Sequence, residues 1–307
     1  MLQLSTLAAL GSITKSNEII KENTPMNFNF TGEIAKRSIP SSGEKIPLIG
    51  LGTWQTFDID NSSEERAALE EVLKTLVAKG ASVIDSSPMY GASETVVGDL
   101  SSGLKIRNKL FLATKVWTSG KEDGIVQMNE SFRKMKTDKM DLMQVHNLID
   151  VHTHLKTLRN WKEQGKIRYF GITHYTASAY PELMRLIKNE KPDFVQFNYN
   201  ISVREAEKEL LPLAKDKGVA VIINRPFEEG ALFRTVKGKA LPAWASEYDI
   251  QSWGQFFLKF IVSHPAVTCA IPGTSKAKHL EDNLGAAFGK LPDENGRKRM
   301  IEYFNSL

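Results

Sequence analysis

Four residues stand out for what they could do together: Asp85, Tyr90, Lys115 and His146. A tyrosine phenol titrates near ~10 and exchanges protons poorly at neutral pH. A lysine ammonium beside it favours the phenolate and lowers that value. An aspartate paired with the lysine keeps it cationic and fixes its direction. A histidine can donate a hydrogen bond to a carbonyl oxygen and turn that oxygen toward the phenol. This is general acid catalysis for reducing a carbonyl, with the tyrosine protonating the oxygen as hydride arrives. No side chain supplies a hydride, so a nicotinamide cofactor is implied.

Such groups act together only if the fold brings them together. Eight short apolar or β-branched runs recur along the chain, at residues 49–52 (IGLG), 82–85 (SVID), 110–113 (LFLA), 140–143 (MDLM), 168–172 (RYFGI), 194–197 (FVQF), 219–223 (VAVII) and 268–271 (TCAI). Their near-continuous apolar character suits parallel strands buried on both faces. The gaps between them fit a helix and two loops, except for a longer one after the seventh run. Ser62 to Glu65 offers a capping box, followed by a stripe of Leu69, Val72, Leu73, Leu76 and Val77 that ends at Gly80. Ile125, Met128, Phe132 and Met135 repeat the pattern, as do Val151, Leu155 and Leu158 before Gly165. Eight strands alternating with helices predict a closed (β/α)8 TIM barrel in a single domain. A doubly wound sheet is the alternative, but Gly50-x-Gly52 lacks the third glycine and the acidic residue expected ~20 positions on.

In such a barrel, function sits at the C-terminal ends of the strands. Asp85 and Tyr90 follow the second strand, Lys115 the third and His146 the fourth. These neighbours lie ~4.8 Å apart, so the four side chains can converge. Taken singly, the aspartate reads as a cap and the lysine as a solvated charge; their co-occurrence at one barrel end makes a site. Trp54 and Trp117, after the first and third strands, read as pocket walls, with core filler as the alternative. His152 and His154 stand two apart on a helix and face differently, so no metal is expected. Cys269 reads as a buried apolar residue.

Composition sets limits. Hydrophobic residues make up 41% and charged residues 25%, which is ordinary for a globular chain. Lys and Arg number 40 against 36 Asp and Glu, a net charge of +4 with no basic run. Neither nucleic acid nor an anionic membrane is expected as a partner. One cysteine makes no internal disulfide, and no apolar stretch approaches the ~20 residues of a membrane span. A monomer or weak homo-oligomer acting on a small carbonyl compound is the expectation.

Residues 50–54 (GLGTW), 83–91 (VIDSSPMYG), 113–117 (ATKVW) and 141–147 (DLMQVHN) resemble the aldo-keto reductases. So do residues 171–174 (GITH), 193–198 (DFVQFN) and 271–274 (IPGT), and the resemblance spans about residues 34–290. It implies a barrel that binds NADPH, less often NADH, extended across its mouth. It also implies Asp85, Tyr90, Lys115 and His146 as the catalytic four, with Asn147 beside the substrate and Gln196 on the nicotinamide carboxamide. The Ser-Asn pair usual after strand five appears as Thr173-His174. The aromatic that usually stacks on nicotinamide is Asn224, followed by Arg225 and Pro226; weaker stacking or an Arg225 contact are the two readings. Gly273, Thr274 and Lys276 open a helix whose N-terminus could bind phosphate. Gly273 and His279 stand where strongly NADP-selective members carry Lys and Arg, and Lys276 and Lys278 could compensate for a 2′-phosphate. Asp282 and Asn283 match the pair that usually grips adenine.

Residues 1–33 differ in character and read as an N-terminal tail ahead of a barrel with a C-terminal helix over residues 34–307. The tail resembles the back half of a twin-arginine export segment without the arginines, so the expected location is cytoplasmic, or periplasmic if such a signal precedes it. Residues 227–250 read as a strap over the cofactor pyrophosphate or as surface packing. Residues 297–307 read as a short helical tail in place of the long C-terminal loop that shapes the pocket in some members of the family it resembles, and an open pocket for small or varied carbonyls is expected. The competing function is an NADP(H)-binding regulatory subunit with little turnover, as the potassium-channel β subunits of this superfamily are. A barrel metal hydrolase would want His-x-His on the first strand, where Gly50 and Gly52 stand instead.

Overall fold

The chain was analysed as a computed structural model, which describes residues 30, 32–60 and 62–307. It opens with a hairpin that periodicity does not reveal: β1 (Lys36–Ser38) pairs antiparallel with β2 (Lys45–Pro47). Strands this short carry too few alternating positions to register as a pattern. Ile39 and Ile46, at most 1% exposed, join Val83, Phe111, Ala113, Leu142, Phe194, Ala220, Ile222 and Cys269 in one apolar cluster. The hairpin therefore plugs the N-terminal end of the barrel, and each of these isoleucines stabilises it by about 1.5–3 kcal/mol. Its turn is pinned by Tyr169, whose hydroxyl donates to Glu44 at 2.6 Å.

The eight apolar runs form the barrel: β3 (Leu51–Gly52), β4 (Val83–Asp85), β5 (Phe111–Val116), β6 (Met140–His146), β7 (Ile167–Thr173), β8 (Phe194–Asn198), β9 (Ala220–Asn224) and β10 (Cys269–Ala270). All pair parallel in sequence order, and bridges Ile49↔Ala270 and Gly52↔Gly273 join the last strand to the first. The protein is a (β/α)8 barrel. Its outer helices are α1 (Ser63–Ala78), α2 (Ser93–Gly103), α3 (Lys121–Lys134), α4 (Val151–Glu163), α5 (Tyr180–Glu190), α6 (Leu210–Asp216), α7 (Ala231–Thr235), α8 (Trp253–Val262), α9 (Ala277–Gly285) and α10 (Glu294–Asn305).

Local sequence explains these boundaries. The Ser62 hydroxyl accepts from the Glu65 N–H and starts α1, and Gly80 adopts φ +80° two residues past its end. The buried faces of α1 and α4 carry the apolar stripes expected of them, Leu69, Val72, Leu73 and Leu76 on one and Val151, Leu155 and Leu158 on the other.

Residues 227–250 contain α7 and two short 3-10 turns. The excursion is fastened by aromatic packing: Phe233 lies 5.7 Å from Phe257 of α8, and Trp244 lies 6.0 Å from Tyr303 of α10. The C-terminal helix starts at Glu294, earlier than its sequence suggests, because Asp293 caps it through the Gly296 N–H. Of the residues read as a tail, Phe30, Gly32 and Glu33 are described, and Phe30 stacks on Phe288 at 5.0 Å. The segment resembling an export signal lies outside the described residues. Among the described residues no helix is long and apolar enough to cross a membrane.

Candidate active site

Register decides which side chains meet. Asp85 pairs with Ala113, and Lys115 pairs with Gln144, so residues two apart along adjacent strands share the inward face near the barrel mouth. Lys115 is fully buried and its Nζ donates to Asp85 Oδ2 at 2.6 Å and to the Ser86 carbonyl at 2.6 Å. The other aspartate oxygen accepts from Gln144 Nε2 at 3.1 Å and from Gln196 Nε2 at 3.0 Å. Asp85 is thus the hub of a closed polar layer above the apolar barrel interior. Gly171 makes room for it, since a Cβ there would sit 3.2 Å from Gln144 Cγ and 2.9 Å from the Phe194 carbonyl oxygen.

Tyr90 enters from the loop after β4. Gly91 turns that loop with φ +57°, and a side chain there would collide with the Asp58 carboxylate, which accepts the Ala92 N–H at 2.8 Å. The Tyr90 ring comes to 5.0 Å from Lys115 Nζ and stands edge-on to His146, with ring centroids 5.8 Å apart. The predicted four residues converge.

The electrostatics differ from the sequence reading in one respect. Burial pushes the Tyr90 phenol above its ordinary value; the Lys115 ammonium pulls it down, as expected, but does not win. The phenol is therefore held protonated. Burial works against the Lys115 ammonium, yet Asp85 and Tyr90 more than offset it and its pKa rises. Burial, then the Lys115 and His174 charges, drive His146 down to about 2, so its imidazole is neutral.

Two participants escaped sequence reasoning. Gln144 lies two residues before His146 on a fully buried strand, and a polar side chain in such a run was the available signal. Ser87, also fully buried, approaches His146 Nδ1 at 3.0 Å. Trp54 and Trp117 are 43% and 38% exposed, so neither is core filler, and Met89 is likewise 38% exposed. Gln127 brackets the Trp117 backbone, accepting its N–H at 2.5 Å and donating to its carbonyl at 3.0 Å.

Comparison with known proteins gives the family. The model of the aldo/keto reductase family matches residues 48–298. The chain belongs to that family. It is 27% identical over 257 residues to methylglyoxal reductase YeaE of Escherichia coli (strain K12), covering 81% of this chain and 88% of that protein. It is 23% identical to aldo-keto reductase yakc [NADP(+)] of Schizosaccharomyces pombe, covering 83% and 89%. Its fold matches the Klebsiella pneumoniae aldo/keto reductase crystallised with NADP and acetate, with TM-score 0.72, 23% identity and coverage of 89% and 96%.

The residues expected to hold the cofactor lie on β8 and at or after the C-terminal ends of β7, β9 and β10. Thr173 is buried and donates to Gln196 Oε1 at 2.8 Å, so Gln196 links Thr173 to Asp85. A glutamine has two N–H groups and two carbonyl lone pairs, so one of each is left for a ligand. His174 accepts the Thr176 N–H on Nδ1 at 3.2 Å and stacks on Tyr175 at 5.4 Å. Asn224 Oδ1 and Asn147 Oδ1 are buried without a partner among the described residues. Arg225 has φ +48° and pairs with Glu228 at 3.2 Å and Glu229 at 3.5 Å, its guanidinium 5.9 Å from the Tyr175 ring. Pro226 beside it is buried.

At the β10 end, Thr274 Oγ1 accepts the Lys276 N–H at 3.1 Å just before α9, whose first turn has no side-chain cap. Gly273, Lys276 and His279 are exposed there. Asn283 is buried, and the Asp282 carboxylate accepts from Ser252 Oγ at 2.7 Å and Gln255 Nε2 at 2.8 Å, turning toward the N-terminus of α8. The other two histidines near the site go elsewhere. His152 meets Glu190 at 3.1 Å on the surface, and His154 is buried against the Thr118 carbonyl at 2.6 Å.

Proposed function

We propose that this aldo-keto reductase reduces aldehydes or ketones to alcohols with NADPH, and that Tyr90 is the general acid. The observation that carries the reading is the approach of a protonated phenol and a neutral imidazole at the barrel mouth, backed by the buried Lys115–Asp85 pair.

Residues present at the mouth fit a dinucleotide. Asn224 Oδ1 and Asn147 Oδ1 are buried acceptors in need of a donor, which amide and hydroxyl groups of such a cofactor would supply. Gln196, Thr173 and His174 would hold its carboxamide end. The uncapped first turn of α9, with Thr274, Lys276 and Lys278, would hold phosphate, and two lysines favour the 2′-phosphate of NADPH over NADH. The cofactor, when bound, supplies hydride.

The chain's own residues supply the rest. Tyr90 gives its proton to the carbonyl oxygen. His146 directs that oxygen through a ring N–H. Lys115 stabilises the phenolate left behind, and Asp85 keeps Lys115 cationic and aimed. Gln144 and Gln196 hold Asp85 in place. Trp54, Met89 and Trp117 present an apolar wall to the carbonyl's substituents. The same reading takes residues 34–307 as one catalytic unit and residues 1–33 as a tail.

The test follows consumption of NADPH and NADH with aldehydes, ketones and quinones, in wild type and Tyr90→Phe. Wild type is expected to turn over, faster with NADPH, and the variant to lose about 10²–10⁴-fold in rate. A wild type silent with every carbonyl, as a regulatory subunit would be, or a variant at full rate, overturns the proposal.

A further inference from the structure

We propose that Ser87 locks His146 in the tautomer protonated on Nε2, which makes Ser87 a positioning residue for the carbonyl. The inference rests on the reading of His146 as the group that directs the substrate oxygen.

The argument counts protons. Ser87 is fully buried, two residues past the end of β4, and its Oγ lies 3.0 Å from His146 Nδ1. The Met89 N–H donates to the same oxygen at 3.3 Å. A hydroxyl has one proton and two lone pairs. One lone pair serves Met89, and Ser87 Oγ has no third partner among the described residues. If Nδ1 carried the proton and donated to Oγ, the hydroxyl proton would be buried with nowhere to go. If Nδ1 is bare, the hydroxyl donates to it and both groups are satisfied.

The consequence falls on the far side of the ring. Nε2 has no protein partner among the described residues, and the imidazole stands edge-on to Tyr90. The single N–H of a neutral ring is then presented on Nε2, where a carbonyl oxygen can accept it beside the phenol. The opposite tautomer would offer that oxygen a lone pair and repel it. A second proton does not rescue that tautomer, because burial and the Lys115 charge keep the ring neutral.

The test uses the full chain with ¹⁵N-labelled histidine, with and without NADP. Long-range proton–nitrogen spectra read the tautomer of His146, picked out from the six histidines by its loss in His146→Gln. Wild type is expected to carry its proton on Nε2. Ser87→Ala is expected to mix the tautomers and lower kcat about tenfold, the worth of one such hydrogen bond, with KM for NADPH unchanged. Ser87→Thr, which keeps the hydroxyl, is expected to restore both. A wild-type proton on Nδ1, or a Ser87→Ala protein with unchanged tautomer and kcat, overturns the proposal. Should Ser87→Ala not fold, the wild-type and Ser87→Thr spectra decide it. If wild type reduces no carbonyl, the functional reading fails, and the spectrum still answers for the tautomer.

Discussion

Replacing Lys115 with methionine probes the centre of the site. Lys115 and Asp85 are 0% and 2% exposed and meet at 2.6 Å. At that distance and an effective dielectric of ~20 their attraction is about 6 kcal/mol, of which burial of both charges takes back most. Removing one partner is different from removing both. Lys115→Met leaves a buried carboxylate with only the Gln144 and Gln196 amides on its other oxygen, and should cost about 3–5 kcal/mol. Asp85→Asn with Lys115→Met removes both charges and should regain at least half of that loss. Urea unfolding followed by the fluorescence of the five tryptophans measures both differences. Carbonyl reduction should stay depressed by about 10²-fold or more in both variants, since neither has a cation to stabilise the Tyr90 phenolate. A single variant as stable as wild type, or a double variant no better than the single, would refute the view of Asp85 as a charge held by its partner. Activity returning with stability would refute a direct role for Lys115.

Two further predictions concern pH. His146 titrates near 2 and the Tyr90 phenol above its usual value of ~10, so kcat/KM for reduction should be level from pH 5 to 8 and fall only on the alkaline side, as the acid loses its proton; an inflection near pH 6.5 in wild type that is missing from His146→Gln would sink this assignment. Lys259, buried in α8, donates to the carbonyls of Tyr248, Phe288 and Lys290, and burial lowers its pKa to about 8. The unfolded chain therefore binds more protons between pH 8 and ~10.4, and the stability of wild type relative to Lys259→Met should rise by about 3 kcal/mol across that window. Paired urea titrations at pH 7.5 and 10 check it, and a difference that shrinks with pH contradicts it.

The site shows how a barrel divides its labour. Below the polar layer, Phe111, Leu142, Phe194 and Ile222 fill the interior, and the hairpin residues Ile39 and Ile46 close it. Above it, Asp85 gathers one lysine and two glutamines from three other strands. Rigid strands hold the charged pair, while Tyr90, the proposed proton donor, comes from a loop clamped by Asp58 and Gly91. Catalytic precision then depends on short backbone paths from strand to side chain, which is why positions two apart in register carry most of the chemistry.

The sequence alone was enough for the eight strands, because each is buried on both faces and leaves an apolar run, and for the meeting of Asp85, Lys115 and His146 with Tyr90, because the first three lie at or just past the end of such a run and Tyr90 in the loop after one. The helices with strong stripes were legible for the same reason. Contacts between residues far apart in sequence were not. The hairpin plug is too short to show periodicity, and its role depends on where the barrel opens. Whether Tyr90 gains or loses acidity turned on burial against a nearby charge, and burial exists only in the folded chain; the lysine alone pointed the wrong way. The partnership of Gln144 and Gln196 on Asp85, the pairing of Arg225 with Glu228, and the turn of Asp282 toward α8 depend on register and rotamer. Ser87 is one serine among many until the fold sets its hydroxyl against His146, because a hydrogen bond is decided within tenths of an ångström and sequence spacing fixes no distance of that kind.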